Sequence, residues 1–233
     1  MNTRGFLLIL GTLQTLLALR VMERLLRTAR GERVQPAPAL RHPATLSIIV
    51  PVLNEYARLA PCLEGLLAQG EEVAEILVVD GGSRDGTQAL VAAYARHDPR
   101  LRLLDASPIP AGWNGKAWGL HSGLQQIAPA SEWVLTLDAD VRPAPLLARS
   151  LLAHALKTGL EAFSVATLQE IVGSGQGLLH PALLTTLVYR FGIPGHAIRA
   201  VQEVQANGQC FLCQRALLAR HGGFTCAQTS CCE

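Results

Sequence analysis

Three short apolar runs constrain this chain more than any other feature: Leu46 to Val52 (LSIIVPV), Ala74 to Val79 (AEILVV) and Trp133 to Leu137 (WVLTL). They are rich in β-branched residues and almost unbroken in hydrophobicity, the pattern of strands covered on both faces. Stretches with helical patterning lie between them, Glu55 to Ala68, Thr87 to Arg96 and Lys116 to Ile127. A βαβα alternation predicts an α/β fold with a mostly parallel sheet and right-handed crossovers. Beyond residue 45 the chain offers about 190 residues, enough for one such domain with a substantial core.

Each run is followed by carboxylates, and parallel sheets bind their ligands at the carboxyl edge of the strands. Asn54-Glu55 follows the first run, Asp80-Gly81-Gly82-Ser83-Arg84-Asp85-Gly86-Thr87 the second, and Asp138-Ala139-Asp140 the third. In an extended Asp-x-Asp the two side chains share a face. Such a pair suits Mg²⁺ or Mn²⁺, whose other ligands come from water and substrate phosphates. One acidic pair alone reads equally as a solvated strand end or a helix cap; three clusters at three strand ends favour a phosphate-ester site. Gly81, Gly82 and Gly86 permit positive φ and close backbone approach to a ligand, as they would in an ordinary strand-to-helix turn. In Pro110-Ala111-Gly112-Trp113-Asn114-Gly115-Lys116-Ala117-Trp118, Lys116 opens a helix where ammonium and helix terminus together favour a phosphate. The alternative is a solvated lysine with Trp113 and Trp118 as packing residues.

The three blocks Val50-Pro51-Val52-Leu53-Asn54-Glu55, Val78 to Thr87 and Asp138-Ala139-Asp140 resemble, in order and spacing, the family 2 glycosyltransferases of the GT-A fold, over about residues 45 to 233. The resemblance implies a nucleotide-sugar donor site built from Pro51, Asn54, Glu55, Asp80, Gly82, Ser83, Asp85, Lys116 and Asp138. Glu55 and Asp80 would contact base and ribose, Asp85 would support the loop, and Asp138 and Asp140 would address ribose and metal, Asp140 sharing in catalysis. Gly81 stands where many members carry a second Asp, which leaves the choice of base open. Gly-Trp-x-Gly-Lys is similar to a subgroup that glycosylates membrane lipids, hopanoid-associated and ceramide glucosyltransferase-like, and implies a lipid acceptor. The family also implies an acidic pair on a loop after a Gly-Gly segment, one carboxylate serving as base. Gly222-Gly223 matches that approach and Glu233 is the acidic residue that follows, a poor base at a terminus prone to fray. With the expected Asp and a Gln-x-x-Arg-Trp type motif missing, the expectation is a chain truncated relative to the family that binds donor but transfers slowly or not at all. A non-catalytic donor-binding membrane protein and a nucleotidyltransferase are the alternatives; the second lacks a Gly-rich basic triphosphate loop around Ser47 to Asn54.

Residues 5 to 19 carry no charge and are mostly apolar, and Arg20, Arg24, Arg27, Arg30 and Arg33 follow. A helix of that length reaches about 22 Å, so a single span needs the flanking arginines to snorkel. A signal peptide fits less well, since no small-residue cleavage site follows. An interfacial helix on anionic lipid is the other reading. The arginine asymmetry puts the catalytic part on the cytoplasmic side. Residues 1–30 thus read as anchor, 31–44 as a proline-bearing linker and 45–233 as the catalytic domain. A net charge of +2 with its basic residues gathered beside the apolar helix argues against a nucleic-acid partner.

Five of the six cysteines fall between Cys210 and Cys232. Cys210 and Cys213 have half-knuckle spacing with no matching second pair, so buried thiols are expected in place of a zinc site. The stretch from Gly173 to Gly195 is either a membrane-touching amphipathic segment or a helix packed on the sheet.

Overall fold

The computed structural model describes residues 2–40, 44–196, 200, 202, 204 and 206–230. Glu233, Cys231 and Cys232 lie outside the described residues. Two compact units emerge, one from residues within 1–33 and 168–205, the other from 34–167 and 206–233.

The larger unit holds a six-stranded sheet of β1 (Leu46–Val52), β2 (Val73–Asp80), β3 (Leu101–Asp105), β4 (Trp133–Leu137), β5 (Ala162–Ser164) and β6 (Cys210–Gln214). The strand order is β3-β2-β1-β4-β6-β5. β1 runs parallel to both β2 and β4, with Ile48 opposite Ile76 and Leu135, and β3 runs parallel to β2. β6 pairs antiparallel with β4 and β5, so the sheet is mostly parallel with an antiparallel edge. Alternate residues face opposite layers. Ile48, Val50, Ile76, Val78 and Leu135 pack against α2 (Ala60–Leu67), α3 (Thr87–Ala95) and α5 (Leu147–Thr158). Ile49, Leu77, Val79 and Val134 pack against α4 (Gly115–Gln126) and α7 (Arg215–Arg220). Coverage on both faces is the reason the runs carry so little polar alternation.

α4 approaches the sheet through glycines four residues apart. A methyl at Gly119 would meet Pro51 Cβ at 2.9 Å, and one at Gly123 would meet Ile49 Cγ2 at 2.6 Å. Both partners belong to β1, which cannot give way without disturbing the ladder. Gly123→Ala is therefore expected to cost about 1–3 kcal/mol through overpacking, despite the higher helix propensity of alanine, as read from urea unfolding midpoints.

The segment expected to be a linker has no regular structure between residues 34 and 40, yet it is tied down. Val34 and Leu40 pack on the core, Ala37 N donates to Ser150 Oγ at 3.1 Å, and Pro38 O accepts from Arg149 Nη1 at 2.7 Å.

The smaller unit contains α1 (Thr3–Ala29) and α6 (Gly173–Arg190). α1 begins on an Asn2 cap, has 27 residues and no buried residue. At 1.5 Å per residue it reaches about 40 Å, and it is long and apolar enough to cross a membrane. Glu32 N donates to Gly195 O at 2.9 Å, and Arg27 O lies 2.9 Å from His196 Nε2. The Gly173 to Gly195 stretch thus belongs with α1 and not with the sheet's own unit.

Candidate functional site at the carboxyl edge of the sheet

The loops leaving β1 and β2 are laced to each other. Asn54 takes up the left-handed conformation at φ 57°, which asparagine tolerates better than other side chains. In that pose its amide donates to Ser83 Oγ at 2.8 Å and its Oδ1 accepts from Arg84 N at 2.9 Å. Glu55 N donates to Thr87 Oγ1 at 2.9 Å, and Tyr56 N to Asp85 Oδ2 at 3.0 Å. Asp85 also accepts from Thr87 N at 3.0 Å and Thr87 Oγ1 at 2.6 Å. The Thr87 hydroxyl, ahead of the backbone amides, holds its carboxyl below the usual range. Asp85 thus accepts from the backbone of the first loop and from Thr87 at the start of α3 at once.

Asp80 is placed differently from expectation. Its side chain is fully buried, and Oδ2 accepts from Gly82 N at 3.1 Å, Ser83 N at 2.9 Å and Gln88 Nε2 at 2.6 Å, while Oδ1 accepts from the Ser83 hydroxyl. These donors make it the shaper of the loop. Positive φ occurs at Gly82 (102°) and Gly86 (98°) but not at Gly81, where an added methyl would make only ordinary contacts, at 3.6 Å to Ile109 and 3.8 Å to Leu53. The Glu55 carboxylate is likewise engaged, accepting from Arg58 Nε and Nη2 at 3.0 Å each. Arg58 and Gln88 were not singled out in the sequence, although an arginine three residues after a glutamate is a standing signal for such a pair.

The Asp-x-Asp is not extended. β4 ends at Leu137, and Val141 N donates to Asp138 O at 3.2 Å, so Asp138-Ala139-Asp140 forms a turn beyond the strand. Period-two alternation does not apply there; both carboxylates sit on the turn. The buried Cys62 thiol, whose Sγ lies 3.8 Å from Asp138 O, is pushed up to about 12 by burial and then by the charges of Asp140 and Asp138. Cys210 is raised to about 12 by burial and then by Asp138. Cys210 and Cys213 are buried on opposite faces of β6, so their spacing holds no metal.

Lys116, second residue of α4, reaches the same turn with Nζ 2.7 Å from Asp138 Oδ1. Its root is firm. Asn114 caps α4 by accepting from Ala117 N at 2.8 Å and donates through Nδ2 to Ser230 O at 2.8 Å. Trp118 donates to Ala106 O at 2.7 Å, with Trp113 edge-on at 5.2 Å and His121 stacked at 6.0 Å, so the indoles are packing residues. A methyl added at Gly81 would meet Ile109 Cδ1 at 3.6 Å and one at Gly115 would meet it at 3.3 Å, so the Ile109 side chain stands near both the Asp80 loop and the start of α4. Pro51 lies under α4. The structure thus gathers Pro51, Asn54, Glu55, Asp80, Gly82, Ser83, Asp85, Lys116, Asp138 and Asp140 at one edge; Glu233 lies outside the described residues.

A hard divalent cation fits the donor set at the turn, two carboxylates of which Asp140 is exposed and Asp138 partly so. Among the described residues no three His, Cys, Asp or Glu converge on one point. Water and substrate phosphates would supply the remaining oxygens, as they do for Mg²⁺ and Mn²⁺.

Residues 47–220 match the family described as glycosyl transferase family 2. The chain is 37% identical over 97 residues to the lipopolysaccharide core biosynthesis glycosyltransferase LpsC of Rhizobium meliloti, covering 42% of this chain and 32% of that one. It is 34% identical over 120 residues to the dolichyl-phosphate β-glucosyltransferase ALG5A of Trichomonas vaginalis, covering 47% and 35%. It spans about a third of the length of these curated relatives. Among solved structures, the mannosyltransferase PcManGT of Pyrobaculum calidifontis, in complex with GDP-Man and Mn²⁺, superposes with a TM-score of 0.56 at 24% identity, over 90% of this chain and 57% of that one. S. aureus TarS superposes at 0.54 with 18% identity, over 76% and 49%. At these identities the likeness is one of fold.

Proposed function

The chain belongs to glycosyl transferase family 2, and on that premise we propose that its sheet-edge site binds a nucleotide-diphosphate sugar and delivers the sugar to the hydroxyl of a membrane lipid. The carrying observation is the meeting of the laced β1 and β2 loops with Lys116 and the Asp138-Ala139-Asp140 turn. The laced loops provide a preformed cradle for the nucleoside, with the half-exposed Tyr56 ring over Gly86 at its rim. Lys116 and the N-terminus of α4 offer positive charge to the diphosphate. Asp138 and Asp140 would hold Mg²⁺ or Mn²⁺, which when bound neutralises charge developing on the leaving diphosphate. Transfer is inverting: the acceptor oxygen attacks the anomeric carbon in line, the diphosphate departs from the opposite side, and a base takes the hydroxyl proton. The uncovered apolar helix α1 and the lipid-linked chemistry in the name of ALG5A support a lipid acceptor at a membrane. The arginines after residue 19 favour a cytoplasmic catalytic unit.

Calorimetric titration of UDP-, GDP- and dTDP-sugars into the detergent-solubilised chain, with and without Mn²⁺, tests this reading. One nucleotide is expected to bind saturably and more tightly with Mn²⁺, with Kd on the order of 1 μM to 1 mM. A folded chain that binds none would overturn it. Pyrophosphate release from a nucleoside triphosphate and a sugar phosphate would point instead to nucleotidyl transfer.

A further inference from the structure

The ion pair at the acidic turn would set a lysine ammonium and an arriving metal in competition for one carboxylate. Lys116 Nζ lies 2.7 Å from Asp138 Oδ1, and both side chains are mostly enclosed, 22% and 23% exposed. A lysine ammonium is a compact point charge on a flexible stem, able to leave one anion for another without moving its backbone. Its root at the start of α4 is held by the Asn114 cap and by Asn114 N donating to Gln228 O at 2.9 Å. A divalent cation at Asp138 would have to share the carboxylate that the ammonium now holds, and two cations that close repel. A diphosphate arriving at the same edge offers the ammonium a stronger anion and releases Asp138.

We propose that Lys116 is a resident counter-cation that holds Asp138 in the donor-free protein, so that divalent metal binds weakly alone and donor and metal bind cooperatively. The proposal rests on the reading of Asp138 and Asp140 as metal ligands. Because coupling between two ligands is reciprocal, metal strengthens nucleotide binding by the same factor that nucleotide strengthens metal binding. The lysine is a positioning residue that sets the order of assembly.

The test is Mn²⁺ binding to the full chain, read from the spectroscopic signal of free aquo-Mn²⁺, without nucleotide and with UDP or GDP after correction for the Mn²⁺ they bind in solution. Lys116→Met keeps the stem and removes the charge. Its nucleotide-free Mn²⁺ affinity is expected to rise about five- to tenfold over the unsubstituted chain, and its nucleotide-induced gain to shrink by a similar factor. Asp138→Asn is expected to bind Mn²⁺ weakly in both backgrounds. If Lys116→Met leaves Mn²⁺ affinity unchanged or lowers it while Asp138→Asn abolishes binding, the counter-cation idea falls and the metal site stands. If Asp138→Asn and Asp140→Asn both bind Mn²⁺ as the unsubstituted chain does, the metal reading fails and takes the counter-cation with it. Thermal melts of each variant separate these outcomes from unfolding.

Discussion

Asp138→Asn and Asp140→Asn are each expected to lower turnover at least about a thousandfold, the scale of losing a charge that stabilises a developing diphosphate. The substitutions keep side-chain shape, and the turn that carries them is closed by backbone groups: Val141 N donates to Asp138 O at 3.2 Å and Asp138 N to Gln209 O at 3.1 Å. Stability is therefore expected to change little for the exposed Asp140. For Asp138 it falls modestly, because the Lys116 ammonium loses its 2.7 Å partner in a partly enclosed place. The measurement is release of nucleoside diphosphate from whichever sugar donor binds, beside a thermal melt of the same preparation. Either variant retaining turnover within tenfold of the unsubstituted chain would remove the acidic turn from the reaction centre.

Asp80→Ala is expected to be the most destabilising single change at the site, about 3–5 kcal/mol by urea unfolding. The carboxylate is fully buried and satisfies Gly82 N, Ser83 N and Gln88 Nε2 at 2.6 to 3.1 Å, so its removal leaves two half-buried backbone donors unpaired beside the space it vacates, while the exposed Gln88 amide can turn to water. Asp80→Asn keeps the volume but turns an NH₂ group toward donors, and about half the loss is expected to remain. Nucleotide binding should vanish in both variants, because Ser83 is the residue that the Asn54 amide grips at 2.8 Å and a displaced Ser83 unlaces the neighbouring loop. Retained nucleotide affinity in a folded Asp80→Ala chain would separate the loop's shape from its function.

The central strands were legible because their apolar runs are continuous: β1 spans the seven residues read from sequence, and β2 extends that reading by one residue at each end. β3, LRLLD, was not, since this edge strand is mostly half-buried or exposed and carries charge. β6, CFLCQ, drew notice only for its cysteines; it is a strand because it pairs antiparallel with β4, a partner far away in the chain. The Glu55 to Ala68 stretch read as one helix begins as a turn, with α2 starting at Ala60 under a proline in its first turn.

At the site, residue type and order were enough to collect the acidic blocks and Lys116 at one sheet edge, because strand direction alone decides where the carboxyl ends lie. Sequence also determined the covered parallel sheet, through the hydrophobicity of three runs, and the apolar helix that precedes it. Tertiary structure decided what each polar atom does. Asp80 became an enclosed acceptor for its own loop, Asp138 and Asp140 fell on a turn and not along a strand, and Lys116 closed on Asp138. Hydrophobic pattern is a property of neighbours in the chain, whereas an ion pair or a buried hydrogen bond exists only once distant segments share one low-dielectric place.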